Sequence, residues 1–130
     1  MTAAALLLVT TGLALALSSE TTRLVEALAL EEGMRVADVG AGDGEWAERL
    51  AGQVGESGHV YATEIDEDDV EEIADRLAGA GIDNATTILG TATDARLPAG
   101  CCEAILLRMV YHHFTDPAPM RASLRRALRD

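Results

Sequence analysis

Val36-Ala37-Asp38-Val39-Gly40-Ala41-Gly42-Asp43-Gly44 is the stretch on which the reading of this chain turns. Its first half is short and apolar, and predicts a strand over 34–39. Its second half is glycine-rich and runs into a segment where Trp46, Ala47, Leu50 and Ala51 share one side, which predicts a helix over 44–54. Glycines between a strand and a helix let the backbone turn sharply and let a ligand come close without Cβ clashes. The helix N-terminus then presents free N–H groups and the positive end of its dipole to an anionic group. An ordinary glycine-rich strand–helix connection is the plainer alternative.

Outward from this point the same alternation repeats. Leu24, Val25 and Leu28 predict a short lead-in helix over 20–30. Residues 59–65 read as a second strand, rich in β-branched and aromatic types. Asp66 is placed to cap a helix whose first turn holds Glu67, Asp68 and Asp69, where the dipole favours anions. That helix is expected to run to about Ala80 and stop at Gly81. A third strand is expected over 85–89, and a loop with Pro98 over 90–100. The run Ala104–Val110 has the continuous apolar character of a strand buried on both faces. Asp116-Pro117 opens a last helix to about Arg129, with Met120, Leu124 and Leu128 inward. Strands alternating with helices imply parallel βαβ units with right-handed crossovers, so the fold class is α/β, a Rossmann-like parallel sheet with flanking helices.

The chain has 130 residues, the size of one domain. Its 48% apolar and 25% charged composition excludes wholesale disorder. All ten basic residues are Arg, set against 22 acids, for a net charge of −12. With four aromatics in all, that balance disfavours nucleic acid as a partner, both electrostatically and for base stacking. The acids concentrate over 31–75 and four of the Arg over 120–130, which reads as solvated helix faces. Cys101 and Cys102 suit neither a disulfide framework nor a four-ligand zinc site. Side chains of neighbouring cysteines diverge, so the pair is expected as small, half-buried, unbridged residues.

The dinucleotide fingerprint G-x-G-x-x-G does not fit, because the third glycine comes one place early at Gly44 and Glu45 stands in its position. An NAD-binding module is disfavoured on that ground. Asp38, inside the strand, would repel a pyrophosphate but could order the loop or accept from an amino group. Glu64, near the end of the second strand, is set to accept both hydroxyls of a ribose, with a free surface acid as the alternative. These features point to a nucleoside carrying an ammonium.

The segments D-V-G-A-G-D-G, V-Y-A-T-E-I-D, L-P-A-G with the A-I-L-L-R-M-V strand, and Y-H-H-F together resemble a class I S-adenosylmethionine-dependent methyltransferase, in particular the quinone-biosynthesis-like methyltransferase-domain group. The resemblance covers residues 20–130. It implies S-adenosyl-L-methionine as cofactor and methyl transfer to a small-molecule acceptor. It further implies that Asp38, Gly40, Gly42 and Gly44 line the methionine end, that Glu64 binds the ribose, and that Ile65 packs on the adenine. Many relatives hold an acid directly after the glycine that follows strand three. Thr91 stands there in this chain, and Asp94 is the expected substitute. Arg108 to Tyr111 would close the end of strand four beside the sulfonium. His112 and His113 follow, where a histidine could act as general base; a structural histidine is the alternative, and a metal site with Asp116 is disfavoured.

Such methyltransferases resemble a seven-stranded sheet of order 3-2-1-4-5-7-6. This chain offers four strand candidates, so it is expected as a partial domain with order 3-2-1-4, truncated after the helix that follows strand four. That leaves an apolar strand edge inviting self-association. A fragment without turnover, inactive or binding the cofactor only, is the alternative function. Residues 1–19 carry no charged side chain and an apolar Leu6–Leu17 run, and resemble a signal peptide or anchor through which alone a membrane would be met. Export or membrane association is suggested by that segment, whereas supply of the methyl donor argues for the cytoplasm.

Overall fold

A computed structural model describes residues 19–107 and 116–130. The signal-like segment, apart from Ser19, and the expected site residues Arg108, His112 and His113 lie outside the described residues.

A short helix α1 spans 19–27, followed by β1 (Arg35–Val39), α2 (Glu45–Val54), β2 (His59–Glu64), α3 (Glu67–Gly79), β3 (Ala85–Leu89), β4 (Ala104–Leu107) and α4 (Pro117–Ala127). The four strands form one sheet in the order β3-β2-β1-β4, every pair parallel. Side chains alternate across the strands, and the core divides accordingly. Val36, Val60, Ala62 and Leu106 pack with Leu50 and Val54 of α2 and Ile73 and Leu77 of α3. Ala37 and Val39 face the other way, onto Met120, Leu124 and Ala127 of α4. Each fully buried Leu or Ile contributes about 1.5–3 kcal/mol, so these two layers are what hold the sheet in place.

The helix ends follow their sequence signals. Asp66 is extended and its carboxylate accepts from the N–H groups of Asp68 and Asp69, capping α3. Asp116 accepts from Ala118 N–H, with Pro117 at the first helical position of α4. Gly44 caps α2 with φ at +85°, and a Cβ there would lie 3.3 Å from the Ile73 side chain. It therefore serves both the turn and the approach of α3.

Two expectations need correction. Leu128 does not continue the last helix inward: α4 stops at Ala127, and Leu128 is 42% exposed, with Ser123 and Ala127 filling the buried face. The reason is backbone pairing. Leu128 forms a parallel bridge with Cys102, reinforced by Cys102 N–H donating to the Ala127 carbonyl and Arg129 N–H to the Cys102 carbonyl. Nor are Cys101 and Cys102 half-buried free thiols. Both are buried against Met120 and Ala127, and their sulfurs are joined in a disulfide between adjacent residues. The turn that ties Cys101 N–H to the Pro98 carbonyl, together with the bridge at Cys102, presents both side chains to the same core.

Candidate functional site

Parallel sheets of this kind leave a crevice beyond the carboxyl ends of their strands, where the strand order reverses. Here the order reverses between β1 and β4, and the crevice runs on over the ends of β2 and β3. A cavity of about 280 Å³ opens there, with Val39, Gly40 and Gly42 from the first turn, Thr63, Glu64 and Ile65 from the end of β2, Gly90, Thr91, Ala92 and Ala95 from the loop after β3, and Met120 from α4 forming its wall. That size is near the lower end of small-ligand sites.

The backbone builds this wall before any ligand is considered. The N–H groups of Gly40 and Ala41 both donate to the Thr63 carbonyl at 3.0 Å, which folds the glycine turn against the end of β2. Glu64 holds the next part of the turn. Its Oε2 accepts from Gly42 N–H at 3.1 Å and its Oε1 from Ile65 N–H at 3.0 Å, so the carboxylate stands in one orientation at the cavity edge. Each carboxylate oxygen keeps a further lone pair. Gly42 has φ at +60°, and a Cβ built on it meets nothing within 4 Å; the open space beside it is the space a ligand would use.

Among the described residues, Glu64 is the charged side chain that lines the cavity. Further acids surround its mouth. The carboxyl pKa of Asp69, in the first turn of α3, is raised from its ordinary value by partial desolvation and then by repulsion from Asp66, Glu64 and Asp68. The local potential is therefore negative, which favours a cationic ligand group. Ile65 stands 58% exposed at the rim, an apolar surface available to a flat ring.

The expected site residues do not all meet the cavity. Gly40, Gly42, Glu64 and Ile65 line it. Asp38 is buried within β1 beneath the turn, at 2% exposure. Gly44 is buried with its α-carbon toward α3. Asp94 sits behind the wall: its Oδ1 accepts from Arg96 N–H at 2.7 Å and its Oδ2 lies 3.6 Å from the Arg126 guanidinium. The wall at that point is Thr91 and Ala92 instead. Gly90, Ala95 and Met120 were not singled out from sequence. Gly90 carried a legible signal, since it ends strand three as Gly40 ends strand one. Met120 carried none, because an inward methionine on a helix reads simply as core.

The residues present fit a nucleoside with a cationic tail: a two-oxygen acceptor at the end of β2, an open glycine turn, and an acidic mouth. Comparison with known proteins agrees. Residues 36–130 match the family described as a methyltransferase domain. Over 84 residues the chain is 34% identical to the protein-L-isoaspartate O-methyltransferase of Ignicoccus hospitalis, covering 65% of this chain and 40% of that protein. Over 76 residues it is 36% identical to ribosomal RNA large subunit methyltransferase E of Acidithiobacillus ferrooxidans, covering 58% of this chain and 30% of that protein. Its backbone superimposes on a SAM-dependent methyltransferase from Aquifex aeolicus with a TM-score of 0.79 at 27% identity, covering 84% of this chain and 58% of that one. The chain thus spans two fifths or less of these two curated relatives.

Proposed function

The chain belongs to the methyltransferase-domain family, within the class I S-adenosylmethionine-dependent methyltransferases, and we propose that its cavity binds S-adenosyl-L-methionine as donor for methyl transfer to a small-molecule acceptor. The observation that carries this reading is the Glu64 carboxylate, held at the cavity edge by Gly42 N–H and Ile65 N–H with acceptor capacity to spare. A vicinal diol presents two donors at a spacing that a single carboxylate can accept, as at the ends of second strands in nucleotide-binding sheets.

Bound there, the donor supplies an already activated methyl group on a sulfonium. The chain's own task is alignment and exclusion of water. Glu64 takes the ribose hydroxyls, and Ile65, with Thr91 and Ala92, flanks the base. Gly40 and Gly42 let the methionine end lie against the turn, and Asp38 and Gly44 support that turn from beneath and from the α3 side. Asp94 acts on the base through the loop it holds. Arg108 comes directly after β4 in the sequence and is assigned to the sulfonium of the donor, and His112 or His113, a few residues further on in the sequence, would remove the acceptor's acidic proton. The net charge of −12 supports a small acceptor over a polyanionic one, although one relative carries a ribosomal RNA methyltransferase name.

Equilibrium dialysis against labelled S-adenosylmethionine, with NAD as competitor, tests the reading. Saturable uptake displaced by S-adenosylhomocysteine and not by NAD is expected. A folded chain that retains neither ligand, or that retains NAD, would refute it. Turnover assayed on phenol and quinone acceptors separates a catalyst from a chain that only binds the donor.

A further inference from the structure

Ser123 is one of three buried polar residues among the described ones, at 5% exposure, and it lies on α4, outside the lining of the cavity. A buried hydroxyl is costly unless it is bonded, and what it bonds reveals its task. Its Oγ accepts from Ala95 N–H at 3.2 Å and donates to the Met120 carbonyl at 3.0 Å. Both residues line the cavity. One hydroxyl thus ties the loop after β3 to the helix that adjoins it in the cavity wall.

The rest of that loop is built to be held at this point. Thr91 N–H donates to the Asp94 carbonyl at 2.7 Å, and Asp94 N–H to Thr91 Oγ1 at 3.0 Å, closing a tight turn. Asp94 Oδ1 takes Arg96 N–H, where the backbone passes through φ of +57°. The turn packs so closely on Gly90 that a Cβ there would lie 2.9 Å from the Asp94 carbonyl oxygen. A turn this compact moves as a unit, so its attachment to the helix sets where Thr91 and Ala92 stand. Arg126, three residues after Ser123 and so on the same side of α4, reaches Asp94 from the solvent side. That pair is 63% and 45% exposed, and exposed pairs add little.

We infer that Ser123 is a positioning residue for ligand binding: by holding Ala95 N–H and the Met120 carbonyl together, it sets the loop that forms the base-side wall of the cavity. The inference rests on the proposed donor site and deepens it. It assigns a role in affinity to a side chain that does not line the cavity.

The test compares wild type, Ser123→Ala and Arg126→Gln by residue-resolved amide exchange without ligand and by calorimetric titration with S-adenosylhomocysteine. In Ser123→Ala the Ala95 amide and its loop neighbours should exchange at least tenfold faster while the β1 amides are unchanged. S-adenosylhomocysteine should bind about tenfold more weakly, the loss of one buried hydrogen bond. Arg126→Gln should change both by less than about threefold. The inference fails if Ser123→Ala leaves the Ala95 amide protected, if exchange rises equally in β1, if affinity is unchanged, or if Arg126→Gln has the larger effect. A wild type that binds no S-adenosylhomocysteine would sink the donor-site reading, while the exchange data would still decide whether Ser123 holds the loop.

Discussion

Replacing Glu64 by Gln removes one acceptor oxygen and almost nothing else, which makes it the most informative perturbation of this site. In the structure the two carboxylate oxygens are already divided: Oε2 serves Gly42 N–H at 3.1 Å and Oε1 serves Ile65 N–H at 3.0 Å. A glutamine has one carbonyl oxygen and one NH₂ group. Whichever way the amide is turned, a donor faces a donor, and one of these tethers is lost. The ligand loses an acceptor at the same place. A hydrogen bond to a charged group is worth about 1.5–3 kcal/mol, which at 1.4 kcal/mol per decade corresponds to roughly 10- to 150-fold weaker binding. The unliganded protein should lose only about 1 kcal/mol, or about 4 °C in melting temperature, because its tether is neutralised while the sheet and both core layers stay intact. Calorimetric titration with S-adenosylhomocysteine and a melting curve without ligand measure the two effects separately. If Glu64→Gln binds within twofold of wild type while remaining folded, the carboxylate does not touch the ligand. A loss of affinity that only tracks a large loss of stability would equally refute the division of labour argued here.

Two further outcomes are expected. Gly90→Ala should lower stability in urea by about 1–3 kcal/mol, because its Cβ would sit 2.9 Å from the Asp94 carbonyl oxygen and 3.1 Å from that of Ala95, and backbone cannot give way as a side chain does; an unchanged urea midpoint would show the turn to be looser than described. Burial, and secondarily the Arg35 guanidinium, lower the pKa of His59 below the ordinary imidazole value, so the native state takes up its proton less readily than the unfolded chain. Stability linked to His59 is then present above the ordinary imidazole range and is lost as pH falls through it. Urea midpoints measured from pH 7.5 down to 5 should fall less steeply in His59→Gln, and parallel slopes would refute this.

Much of this protein was determined by its sequence alone. Alternation of apolar strands with amphipathic helices dictated a parallel sheet, and the caps Asp66 and Asp116 marked two helix starts, because these signals act within a few residues of chain. The glycine turn and Glu64 were legible for the same reason: the end of a parallel strand in such a sheet is a fixed address, and chemistry there follows from residue type. What needed the tertiary structure were the contacts between segments distant in sequence. The expectation that Asp94 meets the base could not include what the loop's own turn and Arg126 do: its carboxylate takes Arg96 N–H and lies near the Arg126 guanidinium, while Thr91 and Ala92 line the cavity at that point. Leu128 kept perfect helical spacing, yet pairing with Cys102 drew it into extended backbone. Cys101 and Cys102 gave no sign of their shared burial, which depends on how α4 crosses the sheet. Ser123 read as an ordinary helix residue, and only the approach of the Ala95 amide turned its hydroxyl into a fastening for the cavity wall. Local periodicity and capping are properties of a short stretch of chain, whereas the partner of a buried polar group is chosen by whichever segment folding brings against it.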